Sequence, residues 1–289
     1  MTLSSTLNTT AQRIVDFFFQ VNAAEILNGG TPPEVEGDLG AQLMRASKAL
    51  LAEGIDPSTN LVDYGSLKNS STFNEFGHLS RALGNYGIES IGEESAYLAF
   101  WINIYNALVI DAIIQYELKT SMMNRPGIFR QAAYSINGMR FSLDDIEHGI
   151  LRQNRPNPVF PLQPFSPGDP RLPCMVKKFD ARIHFALVCG AQSCPPITYY
   201  SSDRLDAQLD QATGAFINGG AVRWEPARGT LWLSKIFDWY QQDFGGPQAV
   251  LDLIQKHTRS KDIRNIPPHF ELKLRYVPYD WRINYIGQG

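Results

Sequence analysis

The chain has 289 residues, 44% of them hydrophobic and 19% charged, with a formal net charge of −3. Such a composition supplies ample core material and excludes a mainly disordered protein. It leaves no basic footprint for nucleic acid and no polybasic segment for an anionic membrane, and three cysteines are too few for a disulfide scaffold.

No basic segment followed by an apolar run opens the chain, so a secretory signal is not expected and a reducing cytoplasm is the expected location. Val15, Phe18, Phe19 and Ile26 fall near helical spacing, and Gly29-Gly30 with Pro32-Pro33 ends that run. A second helical pattern covers residues 39–51. A polar stretch at 68–72 reads as a surface loop or a weak boundary. Ser90-x-x-Glu93 has the form of a capping box, and the long helix expected after it is apolar on nearly all faces. Asn103, Asn106 and Asp111 interrupt its apolar stretch, which argues for a buried core helix rather than a membrane span. Buried amides there need partners, because an unpaired one costs about 1–3 kcal/mol.

Ser142-x-x-Asp145 is a second cap signal, opening a helix that ends before Asn154. Residues 154–173 hold seven prolines and should form an extended, irregular connection. Arg182 to Cys189 is a near-continuous apolar run that predicts a buried strand. A turn over residues 190–193 follows, and then a helix over 203–217 with Leu205, Leu209, Ala212 and Phe216 on one face. Leu231–Leu233 predicts a short strand, 235–244 a helix, 247–254 another helix, and the strict alternation of 270–276 a half-buried strand. The sum is a helix-rich α+β single domain with a buried central helix on a small sheet, not a βαβ repeat.

No phosphate-binding loop, H-E-x-x-H, dinucleotide fingerprint or G-x-S-x-G is present. The chemistry-bearing segment is RIHFALVCGAQSCPP, residues 182–196. A catalytic cysteine needs a thiolate, a base or positive field to form it, and donors for an oxyanion. Cys194, on a turn, is the candidate nucleophile, whereas Cys189, ending a buried strand, reads as an inert thiol. His184 is the candidate base, with turn N–H groups and Gln192 as oxyanion donors. In an extended strand His184 would lie about 16 Å from Cys189, so the turn must fold back for Cys194 to reach it. Otherwise His148 is a rival base. The bland alternative is a buried histidine beside an inert thiol. A metal site of Cys174, His184, Cys189 and Cys194 lacks a C-x-x-C pair, so neither a metal nor a cofactor is expected. Glu93 and Glu94 suit a helix N-terminus on electrostatic grounds alone; the functional alternative makes one of them orient an imidazole. Glu147 and His148 could equally lie on a solvated helix face, and the aromatics of SKIFDWYQQDF read as core.

Six blocks together are specific: AFWINIYNALVI (99–110), FSLDDIEHGILR (141–152), DPR (169–171), RIHFALVCGAQSCPP (182–196), LSKIFDWYQQDF (233–244) and PYDWRIN (278–284). In that order they resemble the family catalogued as domain of unknown function 547, over roughly residues 75–285. The resemblance implies a domain at 75–289 with an N-terminal helical extension, 1–74, packed on it. It also implies that His184, Cys194, Glu94, Asn103, Asn106 and Glu147 occupy motif positions. In outline the domain is similar to papain-like and transglutaminase-like scaffolds, which place a nucleophilic cysteine at the helix N-terminus; residues 90–106 contain none here. The expected function is a cysteine-dependent hydrolase or acyl transferase acting on a small amide or peptide-like substrate. Cys194 would attack, His184 would act as base and then acid, and Glu94 would orient the imidazole. Gln192, Asn103, Asn106, Glu147 and His148 would contact the substrate. The alternative is a non-catalytic module binding a peptide or thiol metabolite, or a scaffold domain.

Overall fold

The computed structural model describes residues 3–59, 61–191, 193–194, 197–267 and 272–286. The first four helices are α1 (Leu3–Phe18), α2 (Leu39–Gly54), α3 (Tyr64–Leu67) and α4 (Ser71–Ala82), and the central helix α5 spans Glu94–Gln115. α6 (Ile128–Gln131) leads into an antiparallel hairpin of β1 (Ala133–Ile136) and β2 (Met139–Ser142), followed by a π-helical turn, Asp145–Leu151. α7 (Leu205–Phe216) precedes β3 (Val222–Glu225), β4 (Thr230–Ser234), α8 (Lys235–Trp239), α9 (Pro247–His257), α10 (Lys261–Arg264) and β5 (Lys273–Val277). β4 is the middle strand of a three-stranded sheet, antiparallel to β3 and parallel to β5. The class is α+β and helix-rich, as expected.

Two hydrophobic clusters organise the chain. The larger surrounds α5, whose residues from Leu98 to Ile114 are all buried, and takes in Leu43 and Leu50 of α2 and Phe76 of α4. α5 is long and apolar enough to cross a membrane, yet 94% of its most apolar window is buried inside the protein. Its uniform apolarity is that of a helix with neighbours on every side. The hairpin packs on it through Trp101 and Phe141, with ring centroids 5.0 Å apart. The second cluster fills the space between the three-stranded sheet, α7 and α9 with Phe185, Phe216, Phe237 and Phe244.

The polar groups on α5 act as ties. Asn106 donates its Nδ2–H to the Ala186 carbonyl at 3.0 Å and accepts from the Val188 N–H at 3.0 Å. Asn103 does the same with the Tyr200 carbonyl and N–H, at 2.8 and 3.1 Å. The two amides therefore pin the chain on either side of the cysteine turn.

Three local expectations are corrected. Arg182–Cys189 is not a strand: Ala181–Phe185 is a 3-10 helix capped by Asp180, whose carboxylate accepts from the Arg182 N–H, and residues 187–189 are irregular. The segment is apolar on all sides because it is the seam between the clusters, with Ile183 and Ala186 in the first and Phe185 in the second. Ser90 does not cap α5. Its hydroxyl donates to the Gly87 carbonyl within a separate 3-10 turn, and the helix starts at Glu94 after an N-cap, Glu93, without a side-chain bond. The helix expected over 235–244 ends at Trp239 and continues as tight turns, the N–H groups of Asp243 and Phe244 both donating to the Tyr240 carbonyl. By contrast, Ser142 and Asp145 form the full reciprocal cap, the Ser142 N–H donating to Asp145 Oδ2 at 2.9 Å and the Asp145 N–H to Ser142 Oγ at 3.1 Å. Phe270 and Glu271, the start of the last predicted strand, lie outside the described residues; β5 begins at Lys273.

Asp111 on α5 accepts from Tyr134 Oη at 2.8 Å and Gln115 Nε2 at 2.7 Å, and burial pushes its carboxyl up to about 7 from 3.8. A carboxyl raised in the folded state contributes stability that is present below its unfolded value and is lost as pH rises through the folded one. Asp111→Asn, uncharged throughout, is expected to unfold at a higher temperature than the native protein near pH 8, with the difference closing towards pH 4. Parallel melting curves for the two proteins across that range would contradict this account of the buried carboxyl.

Candidate functional site

A cavity of about 420 Å³ opens between α5, the π-helical turn, the 3-10 seam and the segment after β5. That volume lies in the range of small-molecule sites. Five of the six sequence blocks send a side chain to its wall: Tyr105 from the first, Glu147 and His148 from the second, His184, Cys189 and Cys194 from the fourth, Tyr240 from the fifth and Tyr279 from the last. Arg171 of the third block lines a separate polar cleft. Apolar and aromatic side chains, among them Leu187, Ile236, Trp239 and Trp281, make up much of the remaining wall.

One side of the cavity is a fixed charge network. His184 Nε2 lies 2.9 Å from Asp243 Oδ2, and its ring stacks on Tyr240 at 3.7 Å between centroids. Arg152 donates to the same carboxylate through Nε at 2.6 Å, and Arg155 reaches it through Nη1 at 2.8 Å. Burial opposes charge on Asp243, but His184 and Arg152 outweigh it and hold the carboxyl well below its usual range. An ionised Asp243 accepts only, so the Nε2 of a neutral His184 carries the proton and Nδ1 the lone pair. Burial lowers the His184 pKa, favouring that neutral ring, and Nδ1 is buried without a hydrogen-bond partner among the described residues. Glu147 is an ionised carboxylate between two phenols, accepting from Tyr105 Oη at 3.1 Å and from Tyr240 Oη. Burial would raise its pKa, yet the imidazoles of His148 and His184, the Tyr240 hydroxyl and Arg152 together lower it.

The other side holds the thiols. Cys194 Sγ lies 2.9 Å from Cys189 Sγ, 2.9 Å from Tyr279 Oη and 3.2 Å from the Cys189 N–H, which donates to it. Burial resists ionisation of Cys194, but these three donors prevail and bring its pKa below the ordinary thiol value. The Cys194 contact, followed by burial, pushes Cys189 well above that value, and burial keeps Tyr279 protonated. Cys194 is thus the more acidic thiol of the pair.

The structure brings some of the predicted residues together and separates others. Cys194, His184, Glu147 and His148 line one cavity. Among the described residues no hydrogen bond joins Cys194 to His184; the sulfur's partners are Cys189 and Tyr279. His148 is not a free base, because Arg152 Nη1 donates to its Nδ1 at 2.8 Å and burial drops its pKa to about 4. Nor is it on a solvated face, being buried like most of the π-helical turn. Glu94 does not orient His184. It lines a different cavity at the α5 N-terminus, beside Cys174, while Asp243 holds the imidazole. That position of Cys174 also leaves the considered four-residue metal set unassembled. Asn103 and Asn106 do not line the cavity; their amides are spent on backbone. Gln192 lies outside the described residues. Sequence reasoning missed Asp243, Arg152, Tyr105, Tyr240 and Tyr279. The signal for Asp243 was an acid in an aromatic-rich block, and for Tyr279 its place in the last block.

Neither the curated proteins nor the solved structures contain a match to this chain, so the papain-like outline gains no support from a solved fold. Residues 90–217 match the family described as protein of unknown function, DUF547. This stretch carries α5, the π-helical turn, the 3-10 seam and both cavity thiols.

Proposed function

We propose that the protein is a thiol-dependent hydrolase or acyl transferase acting on a small amide or peptide-like compound, with Cys194 as nucleophile. The observation that carries this reading is the donor set on Cys194 Sγ: an S–H, a phenol O–H and a backbone N–H converge on one sulfur at the wall of a cavity. A thiolate formed this way needs no imidazole in contact with it. The resident imidazole is left for proton transfer on the far side of the substrate.

In this reading the thiolate attacks the carbonyl carbon and the carbonyl oxygen becomes an oxyanion. Tyr279 O–H and Cys189 N–H, released as the sulfur loses its charge, are the nearest donors for it. His184, held by Asp243, takes up a proton from solvent at Nδ1 and hands it to the leaving nitrogen as the C–N bond breaks. It then removes a proton from the water or acceptor that attacks the thioester. Glu147 keeps the Tyr105 and Tyr240 hydroxyls, and with them the ring stacked on His184, in place.

A screen of p-nitrophenyl esters and small anilides provides the test. Cys194→Ser should abolish turnover in a protein that still melts cooperatively, and Tyr279→Phe should slow it by roughly 10²-fold, the scale of one lost oxyanion donor. Full turnover by a stable Cys194→Ser protein would remove covalent catalysis from this site.

Thiol reactivity gives an independent check. Iodoacetamide is expected to modify Cys194 faster than Cys189 near neutral pH, with a rate that saturates below the ordinary thiol range. Removing a donor from the thiolate raises its pKa, so Tyr279→Phe should move that midpoint upward. Equal labelling of the two cysteines, or an unmoved midpoint, would count against the donor set as the source of the thiolate.

A further inference from the structure

We propose that Cys189 and Cys194 form a reversible dithiol–disulfide couple that reduces low-molecular-weight disulfides entering the cavity. This proposal shares the Cys194 nucleophile with the reading above but does not depend on acyl chemistry. The two sulfurs stand 2.9 Å apart, short of a bond but closer than two unbonded sulfurs normally rest. Forming the bond, about 2.05 Å long, requires a further approach of less than 1 Å.

The fold holds them in that position. Gly190 reverses the chain immediately after Cys189 with φ of +74°, and a Cβ there would lie 2.6 Å from Ile113 Cδ1 of α5. Ala191 bridges to Ile283, the Cys194 N–H donates to the Ala191 carbonyl at 2.9 Å, and Ser193 Oγ accepts from the Asp280 N–H at 2.9 Å. The turn is thus fastened both to the central helix and to the segment after β5. Both cysteines are only partly buried and both line the cavity, so a small disulfide can reach them. Trp239, Tyr279 and Trp281 offer apolar faces for the rest of such a molecule.

The chemistry balances without any other co-reactant. Cys194 S⁻ attacks one sulfur of R–S–S–R, that S–S bond breaks, and RS⁻ departs, leaving a mixed disulfide on Cys194. Cys189 gives its proton to the departing thiolate and attacks the Cys194 sulfur. The second RS⁻ leaves and takes a proton from solvent, and the Cys189–Cys194 bond forms. Two electrons pass from the dithiol to the small disulfide, which becomes two thiols. The more acidic Cys194 suits the attacking role and the less acidic Cys189 the resolving one.

The test uses the full chain with hydroxyethyl disulfide as the small oxidant and peptide-resolved mass spectrometry as the readout. The native protein should lose two hydrogens, carry a Cys189–Cys194 link and release two mercaptoethanol molecules. Dithiothreitol should restore it. Cys189→Ser should instead accumulate a stoichiometric mixed disulfide on Cys194, and Cys194→Ser should leave Cys189 unmodified over the same time. A native protein that stops at the mixed disulfide, or that links either thiol to Cys174 instead, overturns the proposal. Ester and anilide turnover measured on the same native preparation separates the two readings. A link formed without acyl turnover supports the couple and counts against the hydrolase, and acyl turnover with an unresolved mixed disulfide does the reverse.

Discussion

Asn106 joins the most hydrophobic element of the chain to its most reactive one. Its amide is fully buried in α5, and both halves of it are bonded to the backbone of residues 186 and 188, just before the cysteine turn. An unpaired buried amide costs about 1–3 kcal/mol, so neither the helix nor the seam can shift without losing two hydrogen bonds at once. Asn103 repeats the arrangement at Tyr200, beyond the turn. Between these clamps the residues from 189 to 194 are free to take a shape dictated by Gly190 and by contacts to residues 280 and 283. The geometry of the thiols is therefore set by a helix that contributes no atom to them.

This coupling explains which features could be read from the sequence. Elements whose burial is one-sided or complete within a single core announce themselves. α5 is long and apolar on every face, its Asn103, Asn106 and Asp111 marking a central helix rather than a span, and α2 and α9 follow ordinary periodicity. The reciprocal cap of Ser142 and Asp145 is local, and a local rule found it. The seam at 181–189 failed the same treatment because its side chains serve two cores. A short run that is apolar on every side carries no period, and a strand and a compact 3-10 turn then look alike. Ser90-x-x-Glu93 failed for a different reason: a separate 3-10 turn used the serine hydroxyl first, and the helix began later.

Partners distant in sequence were the harder part of the site. His184, Cys194, Glu147 and His148 were legible as chemistry-bearing residues, and they do meet. The carboxylate that serves His184 lies 59 positions away, and the hydroxyl that serves Cys194 lies 85 away. No spacing rule reaches that far. Glu94 was chosen from the right kind of reasoning, an acid for an imidazole, applied to the wrong end of α5, since Tyr105, three turns further along, is the α5 residue that lines the cavity.

The division of charge within the cavity follows from the same topology. Arg152 and Arg155 sit on one wall with Asp243, so the carboxylate stays ionised and His184 stays neutral, its proton on Nε2. On the opposite wall there is no arginine among the described partners of Cys194, which are a thiol, a phenol hydroxyl and a backbone N–H. A thiolate paired with imidazolium would have its reactivity tied to the protonation of the ring. Here burial favours the neutral ring, and the two groups are held by separate parts of the fold: the arginine pair and Asp243 for His184, Tyr279 and the Cys189 turn for Cys194. Glu147, between Tyr105 and Tyr240, fixes the ring stacked on His184 without touching either thiol. The two walls are joined through α5 and the seam, where the amide of Asn106 bears on both, and through Trp239, whose ring meets Tyr279 at 5.3 Å.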